Sequence, residues 1–271
     1  VNLSGAVGLA VMSAVVVAWG VSLVSGYDVV ADVNPEHMNL GPASAHWLGT
    51  DHLGRDVAWR LVTASEVFVG PGLFACLLAL LLGVPAGAWA GWVGGLGAEL
   101  VRYVFTVIAS LPRFVLVLLV CAIYGSSVWT LAAAAAVAYS PAIAEAVYSR
   151  IATFRGREFV LAAEAHGVHW ARILGWHLLW VNGKTLIARH ALQLFAYFLL
   201  VETTLSYIGA LEAGAGFGVP EPTPSWGNMI AFEWGVRHGN QWATWAPALA
   251  IWVVILGALL LADGLAEGDH A

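Results

Sequence analysis

Long unbroken apolar runs, set apart by shorter polar segments, dominate the chain from one end to the other. Six of them, 3–24, 67–93, 103–124, 128–148, 188–208 and 244–262, are long enough to cross about 30 Å of hydrocarbon, which takes about 20 helical residues. The pattern predicts an all-α, polytopic membrane protein with about six transmembrane helices. It divides the chain into an N-terminal transmembrane helix (1–24), a polar loop with an amphipathic helix leading into the second span (25–66), a core (67–265) interrupted by a polar segment at about 150–187, and a short tail (266–271). The first run has no basic residue before it and is longer than the apolar part of a secretory signal, so it reads as an uncleaved span.

Composition agrees with that reading. Hydrophobic residues make up 60% of the chain and charged residues only 10%, against about a quarter charged in soluble domains. Eleven basic residues within a net charge of −6 argue against a nucleic-acid partner, which needs clustered Lys and Arg. Cys76 and Cys121 both fall inside apolar runs and read as small buried hydrophobes rather than a disulfide. Six of the eleven basic residues, Arg150, Arg155, Arg157, Arg172, Lys184 and Arg189, lie in or beside the segment joining the fourth and fifth spans. The positive-inside rule puts that segment in the cytoplasm, so six spans place both termini there too and turn the loops 25–66 and 209–243 outward. The tail carries no basic residue, which runs against the assignment.

Residues that break the apolar pattern are the candidates for function. Gly83, Gly87, Gly91 and Gly95 recur every fourth residue and predict a bare stripe on the second span for close helix packing; Pro85 within it predicts a kink. Arg113, just after Pro112, is either a snorkelling arginine near the cytoplasmic end of the third span or a pathway residue. Glu202 is either a satisfied carboxylate at the outer mouth or a gate, and Glu145 is explained by exposure. The tryptophans gather near predicted span ends as interfacial anchors; Trp226, in the outer loop, is also a candidate gate or partner contact.

The polar segment in the middle of the chain has its own pattern. Helix-favouring residues run from Glu158 to His166, Gly167 breaks or caps them, and Trp170 to Leu179 can resume a second short helix. The result is a compact knob. Ala162 and Ala163 allow close approach, while Ile173 and Leu174 supply apolar contact. It is either a docking element for a soluble partner or an amphipathic loop on the membrane surface.

Three blocks carry a family resemblance. Ala162-Ala163, Gly167, Ile173-Leu174 and His177-Leu178-Leu179 resemble the EAA loop of permeases in binding-protein-dependent ABC importers. The run Gly49-Thr50-Asp51, Gly54-Arg55-Asp56 and Arg60 is similar to the GTDxxGRDxxxR signature of the dipeptide, oligopeptide and nickel branch, in its second permease type. Glu202 to Gly209, with Pro222 to Asn228, resembles that branch's fifth span and outer loop, and Asp263-Gly264-Leu265 resembles its ending. The resemblance implies the type I ABC importer transmembrane fold and alternating access for a peptide-like solute, with nickel or a metal chelate as the alternative cargo. It further implies a second homologous permease, two cytoplasmic ATP-binding subunits, an extracytoplasmic solute-binding protein, and the cytoplasmic membrane of a prokaryote as location. On that basis Glu158, Ala162, Ala163, His166, Gly167, Ile173, Leu174 and His177 couple the chain to an ATPase. The chain departs from the pattern at Leu161, where an acid is usual, at Trp180, where proline is usual, at Ala266, where arginine is common, and in an insertion at about 210–216.

No phosphate-binding GxxxxGK loop, HExxH or GxSxG is present, so the chain is expected to be no enzyme and to bind no cofactor; ATP and Mg belong to partner subunits. The histidine pairs His46 with His52 and His166 with His169 fall short of a ligand set, and no metal site is expected. Apart from the family, residues 49–56 read as a local structure in which Thr50 and Asp51 cap a helix, Gly54 turns the chain and Arg55 pairs with Asp56. An ion-coupled carrier or channel, and a membrane scaffold, are the readings from other classes. The first would need buried ionisable groups along a path.

Overall fold

The computed structural model describes residues 3–211, 217–234 and 240–267. Its helices are α1 (Leu3–Ser25), α2 (Val57–Thr63), α3 (Ser65–Val93), α4 (Gly95–Ala109), α5 (Arg113–Tyr124), α6 (Val128–Arg155), α7 (Glu158–Ala165), α8 (Trp170–Arg172), a π-helical stretch (Ile173–Val181), α9 (Asn182–Leu211), α10 (Trp226–Trp234) and α11 (Gln241–Glu267). Five stretches are long and apolar enough to cross a membrane: Leu3–Ser25, Val57–Val93, Val128–Arg155, Trp170–Leu211 and Gln241–Ala266. The bent pair α4 and α5 brings the number to six if it counts as one span.

The third span, expected over 103–124 with Pro112 as a breaker at its opening, is instead interrupted by that proline. Proline cannot donate to the preceding turn and pushes the residue before it out of the helical region. Pro112 accordingly stops α4 at Ala109, and α5 begins at Arg113 after a bend of 78°. Arg113 thus opens a helix at the break.

The fifth span also differs from expectation. Trp170 to Leu179 is not a separate short helix but the first part of a single rod running to Leu211. Trp180, unlike proline, keeps its backbone N–H and lets the helix continue. The change of winding is held by side chains: Asn182 Nδ2 donates to the His177 carbonyl at 2.5 Å, and Arg150 Nη2 donates to the Asn182 carbonyl at 3.0 Å.

The core sits where α3, α6 and α9 meet, around fully buried Phe68, Ile143, Leu194, Phe198 and Leu199. Three of the four glycines in the stripe make the α3–α6 contact. A Cβ on Gly87 would lie 2.2 Å from the Ala144 carbonyl oxygen, and one on Gly83 or Gly91 would strike Ile143 or Ile151 at 2.8 Å. Such backbone-to-backbone approach needs a missing side chain. Gly95 does not belong to the stripe: it follows the end of α3 and, with Gly94, takes positive φ to turn the chain into α4. Cys76 and Cys121 are buried and free, and the Cys76 thiol donates to the Ala191 carbonyl.

Candidate functional site

Two ends of α3 mark two assemblies, about 40 Å apart at 1.5 Å per residue over the 29 residues of this helix. One is a cap formed by residues 26–56 and 217–228; the other is the knob around α7.

In the cap, Gly54 closes a tight turn at φ +78, where a Cβ would lie 1.8 Å from the Asn34 carbonyl oxygen. Gly49, at φ +76, admits Asn240, whose Nδ2 donates to the Leu48 carbonyl at 2.7 Å. Thr50 Oγ1 donates to the His37 carbonyl and accepts from Leu40 N–H, tying the cap to itself. Asp51 does not cap a helix. Its Oδ1 accepts from the N–H groups of Leu53 and Arg55, and its Oδ2 accepts from Arg55 Nε at 2.7 Å and from Arg60 Nη1. The helix cap is Asp56, which accepts from Trp59 N–H at the start of α2 and also holds His46 Nδ1 at 2.7 Å.

Arg55 consequently does not pair with Asp56. It bridges Asp51 to Glu221, with Nη1 at 2.7 Å from Glu221 Oε2, while Arg60 Nη2 holds the other oxygen, Oε1, at 2.7 Å. Two guanidiniums and two carboxylates alternate in a ring. Asp51, Arg55 and Arg60 are each 1% exposed in their side chains. Burial alone would raise the Asp51 carboxyl, but the Arg60 and Arg55 charges and the backbone N–H outweigh it and hold it below the usual carboxylate range. Burial likewise opposes the Arg55 charge, and Glu221 and Asp51 override it and raise its pKa.

The loop that supplies Glu221 is itself built by the Pro222–Asn228 block. Asn228 Nδ2 donates to the carbonyls of Val219 and Thr223, and its Oδ1 accepts from Ser225 N–H, while Ser225 Oγ accepts from Asn228 N–H. The exchange caps α10. Trp226 is 6% exposed, donates Nε1–H to the Leu61 carbonyl at 3.0 Å and packs on Phe68 with centroids 4.5 Å apart. Its burial within this chain removes it as a free surface for a partner. Glu202, 1% exposed, accepts from Ser206 Oγ at 2.7 Å, and that oxygen accepts from Val219 N–H at 2.9 Å. Glu202 thus anchors the same loop to α9. Most of the insertion at 210–216 lies outside the described residues, as do 268–271 of the tail.

At the other end, α7 closes in a Schellman motif. Val168 N–H donates to the Ala163 carbonyl at 3.0 Å and Gly167 N–H to that of Glu164 at 2.9 Å, with Gly167 at φ +77. His169 then starts α8 by accepting from Ala171 N–H. Glu158, Ala162, His166 and Gly167 are exposed, whereas Ala163 and His177 are half-buried. Ile173 and Leu174 are not presented outward: at 1% and 9% exposure they join Val160 and Leu178 in fixing the knob to the bundle. At the root of the knob, Arg155 Nη1 donates to the Val93 carbonyl at the end of α3. Glu145 is exposed and meets Arg102 at 3.3 Å. Among the described residues there is no group of three metal-ligating side chains.

Residues 83–267 match the family described as binding-protein-dependent transport system inner membrane component. The chain belongs to that family. It is 30% identical to the dipeptide transport system permease protein of Alkalihalophilus pseudofirmus over 88% of this chain and 75% of the relative. It is 26% identical to the glutathione transport system permease protein of Pectobacterium atrosepticum, over 97% and 84% respectively. With the nickel transport system permease protein of Escherichia coli K12 it shares 30% identity over 89% and 84%.

The chain is thus the membrane permease component of an ABC importer, not itself catalytic. Membership implies a solute-binding protein and ATPase partners. Sequence reasoning missed Glu221, which stands 166 residues from Arg55 with no local spacing to connect them. It also missed Asn240 and the Tyr139 ring, over which the Arg113 guanidinium sits. The only signal was the polar character of these residues in or beside apolar runs.

Proposed function

We propose that this permease pairs with one homologous permease and two ATP-binding subunits, and moves a peptide-like solute inward by alternating access. The knob, Glu158 to His177, seats on an ATP-binding subunit, and the cap faces the solute-binding protein on the other side of the membrane. In that orientation both termini are cytoplasmic, and ATP and Mg act on the partner subunits.

The observation that carries this reading is the rigid attachment of an exposed knob to two spans. α6 leads into it through Arg155, and the rod Trp170–Leu211 leads out of it without a break. A push on α7 is therefore passed to α6 and α9 as lever arms rather than absorbed by a loose loop. A peptide cargo draws support from the dipeptide and glutathione relatives. The nickel relative, with identity equal to that of the dipeptide one, keeps a metal chelate as the second reading.

The test is a tagged purification in mild detergent followed by reconstitution with whatever copurifies. Recovery of a second permease and ATP-binding subunits, with ATP-dependent solute uptake into vesicles, is the expected result. Uptake that survives ATP depletion and collapses with the proton gradient would replace this reading with an ion-coupled carrier.

A further inference from the structure

The break between α4 and α5 leaves Arg113 in the first turn of α5, about 18 Å from the far end of that 12-residue helix at 1.5 Å per residue. Tyr139 lies 11 residues beyond Val128, the start of α6, or roughly 17 Å along it. Both depths fall inside a hydrocarbon layer about 30 Å thick, toward the end of the bundle where Arg189 pairs with Asp263 just past the sixth span. Here the Arg113 guanidinium sits over the Tyr139 ring, its Cζ 4.7 Å from the centroid. The Tyr139 hydroxyl donates to Gln193 Oε1 at 3.2 Å, and the ring meets those of His190 and Tyr197 at 6.4 and 6.1 Å.

His190, Gln193 and Tyr197 follow one another by three and four residues, which puts them on one face of α9. An ionisable and hydrogen-bonding stripe at this depth is costly and faces a wet cavity or a partner. The charge balance of the cluster is uneven. Among the described residues no carboxylate lies within 4 Å of Arg113, while Arg189, next to His190, meets Asp263 at 3.4 Å. Donors and acceptors are also left over. His190 Nδ1 and the Tyr197 hydroxyl are buried atoms without a hydrogen-bond partner among the described residues. Arg113 itself is exposed.

We infer that Arg113, Tyr139, His190, Gln193 and Tyr197 form a station on the translocation path that holds a carboxylate of the passing solute. The inference rests on the permease reading above and names the chemistry of the cargo. A guanidinium offers a planar fork that matches a carboxylate, and the tyrosine hydroxyl and histidine nitrogen lacking partners supply further polar contacts. A helix interrupted within the membrane, with the positive end of its second half at the site, is a recurrent way for transporters to meet anionic groups. The carboxylate belongs either to the C-terminus of a peptide or to the organic part of a metal chelate.

The test uses the assembled transporter in vesicles, with Cys76→Ala and Cys121→Ala removing the native thiols and Tyr197→Cys introducing one at the station. Labelling rates are measured with a sulfonate and a trimethylammonium methanethiosulfonate, each normalised to its rate with free cysteine. The anionic reagent is expected to be favoured about tenfold and the preference to fall to about twofold or less with Arg113→Gln, as for a focused positive field; Arg113→Lys retains most of it. A tripeptide with a free C-terminus slows labelling and its C-terminal amide does not; slowing by nickel citrate but not by the peptide assigns the carboxylate to a chelate. The station is overturned if Arg113→Gln leaves the preference unchanged, or if the introduced thiol stays unreactive in every nucleotide state. It is also overturned if Arg113→Gln releases the partner permease in a pull-down, which would make Arg113 a subunit contact. Labelling is read without ATP-driven uptake, so a loss of uptake alone counts against the transport reading and not against the station.

Discussion

Arg60 and Glu221 lie 161 residues apart and are joined by an ion pair of 2.7 Å. Through it, and through Arg55, the segment before the second span is locked to the loop before α10. A buried ion pair adds little net stability over an apolar replacement, but removal of one partner leaves an uncompensated charge. The ring is therefore a device that fixes how the two cap segments sit, and its members are not interchangeable.

Asp51→Ala removes the carboxylate shared by two buried guanidiniums and is expected to destabilise the cap by about 3 to 5 kcal/mol. Glu221→Gln, at a more exposed position, is expected to cost about 2 kcal/mol. Thermal unfolding of the purified permease in detergent, followed by exposure of a reporter thiol in residues 26–56, measures both. Equal stabilities for the three proteins would show that the ring holds nothing.

The Asp51 carboxyl is held below its usual range by Arg60 and Arg55 against burial. A depressed folded-state pKa means that the unfolded chain takes up the proton first as pH falls. Its stabilisation is thus complete above the unfolded value of about 4 and is lost as pH drops through the folded one. Melting temperatures should be level between about pH 5 and 7 on this account and fall below about pH 4 more steeply in the native protein than in Asp51→Asn. Parallel acid limbs for the two proteins would remove Asp51 from the explanation.

Gly167 takes φ +77, and a Cβ built there meets nothing within 4 Å. Gly167→Val should therefore leave insertion and folding intact while straining the cap of α7 by about 1 to 2 kcal/mol. ATP-driven uptake is expected to drop at least about tenfold as the Schellman turn is lost, with Gly167→Asn, which tolerates this conformation, close to native. Uptake and ATP hydrolysis measured in the same vesicles decide the matter: coupled transport in the valine variant would detach the knob from the engine.

Gly87→Leu places side chain against the Ala144 backbone, where even a Cβ would be 2.2 Å from the carbonyl oxygen. Overpacking of this kind costs about 1 to 3 kcal/mol or more. The yield of monodisperse permease is expected to fall sharply, whereas Gly70→Ala, with nothing within 4 Å of its Cβ, should match the native yield. Size-exclusion profiles of the two variants, made under one promoter, provide the comparison.

Much of this architecture was legible in the apolar runs, because in lipid the backbone must bond within its own helix and so length and polarity alone mark a span. The glycine spacing pointed to close packing, and the small-residue block with Gly167 pointed to the knob, since both are local features. The bend at Pro112 and the continuation of the rod through Trp180 turn on one residue's backbone N–H, which decides whether a helix continues, and their extent is not set by the apolar pattern. Membrane residence, the approximate number of spans and the order of the family blocks can be read from the chain alone. It takes the packed chain to show that Arg55 turns from its neighbour Asp56 to Glu221, that Trp226 is buried, and that Arg113 stands over Tyr139 beside His190 and Tyr197. Ion pairs and aromatic contacts form between groups brought together by the packing of distant helices, and no spacing along the chain encodes which helices those are.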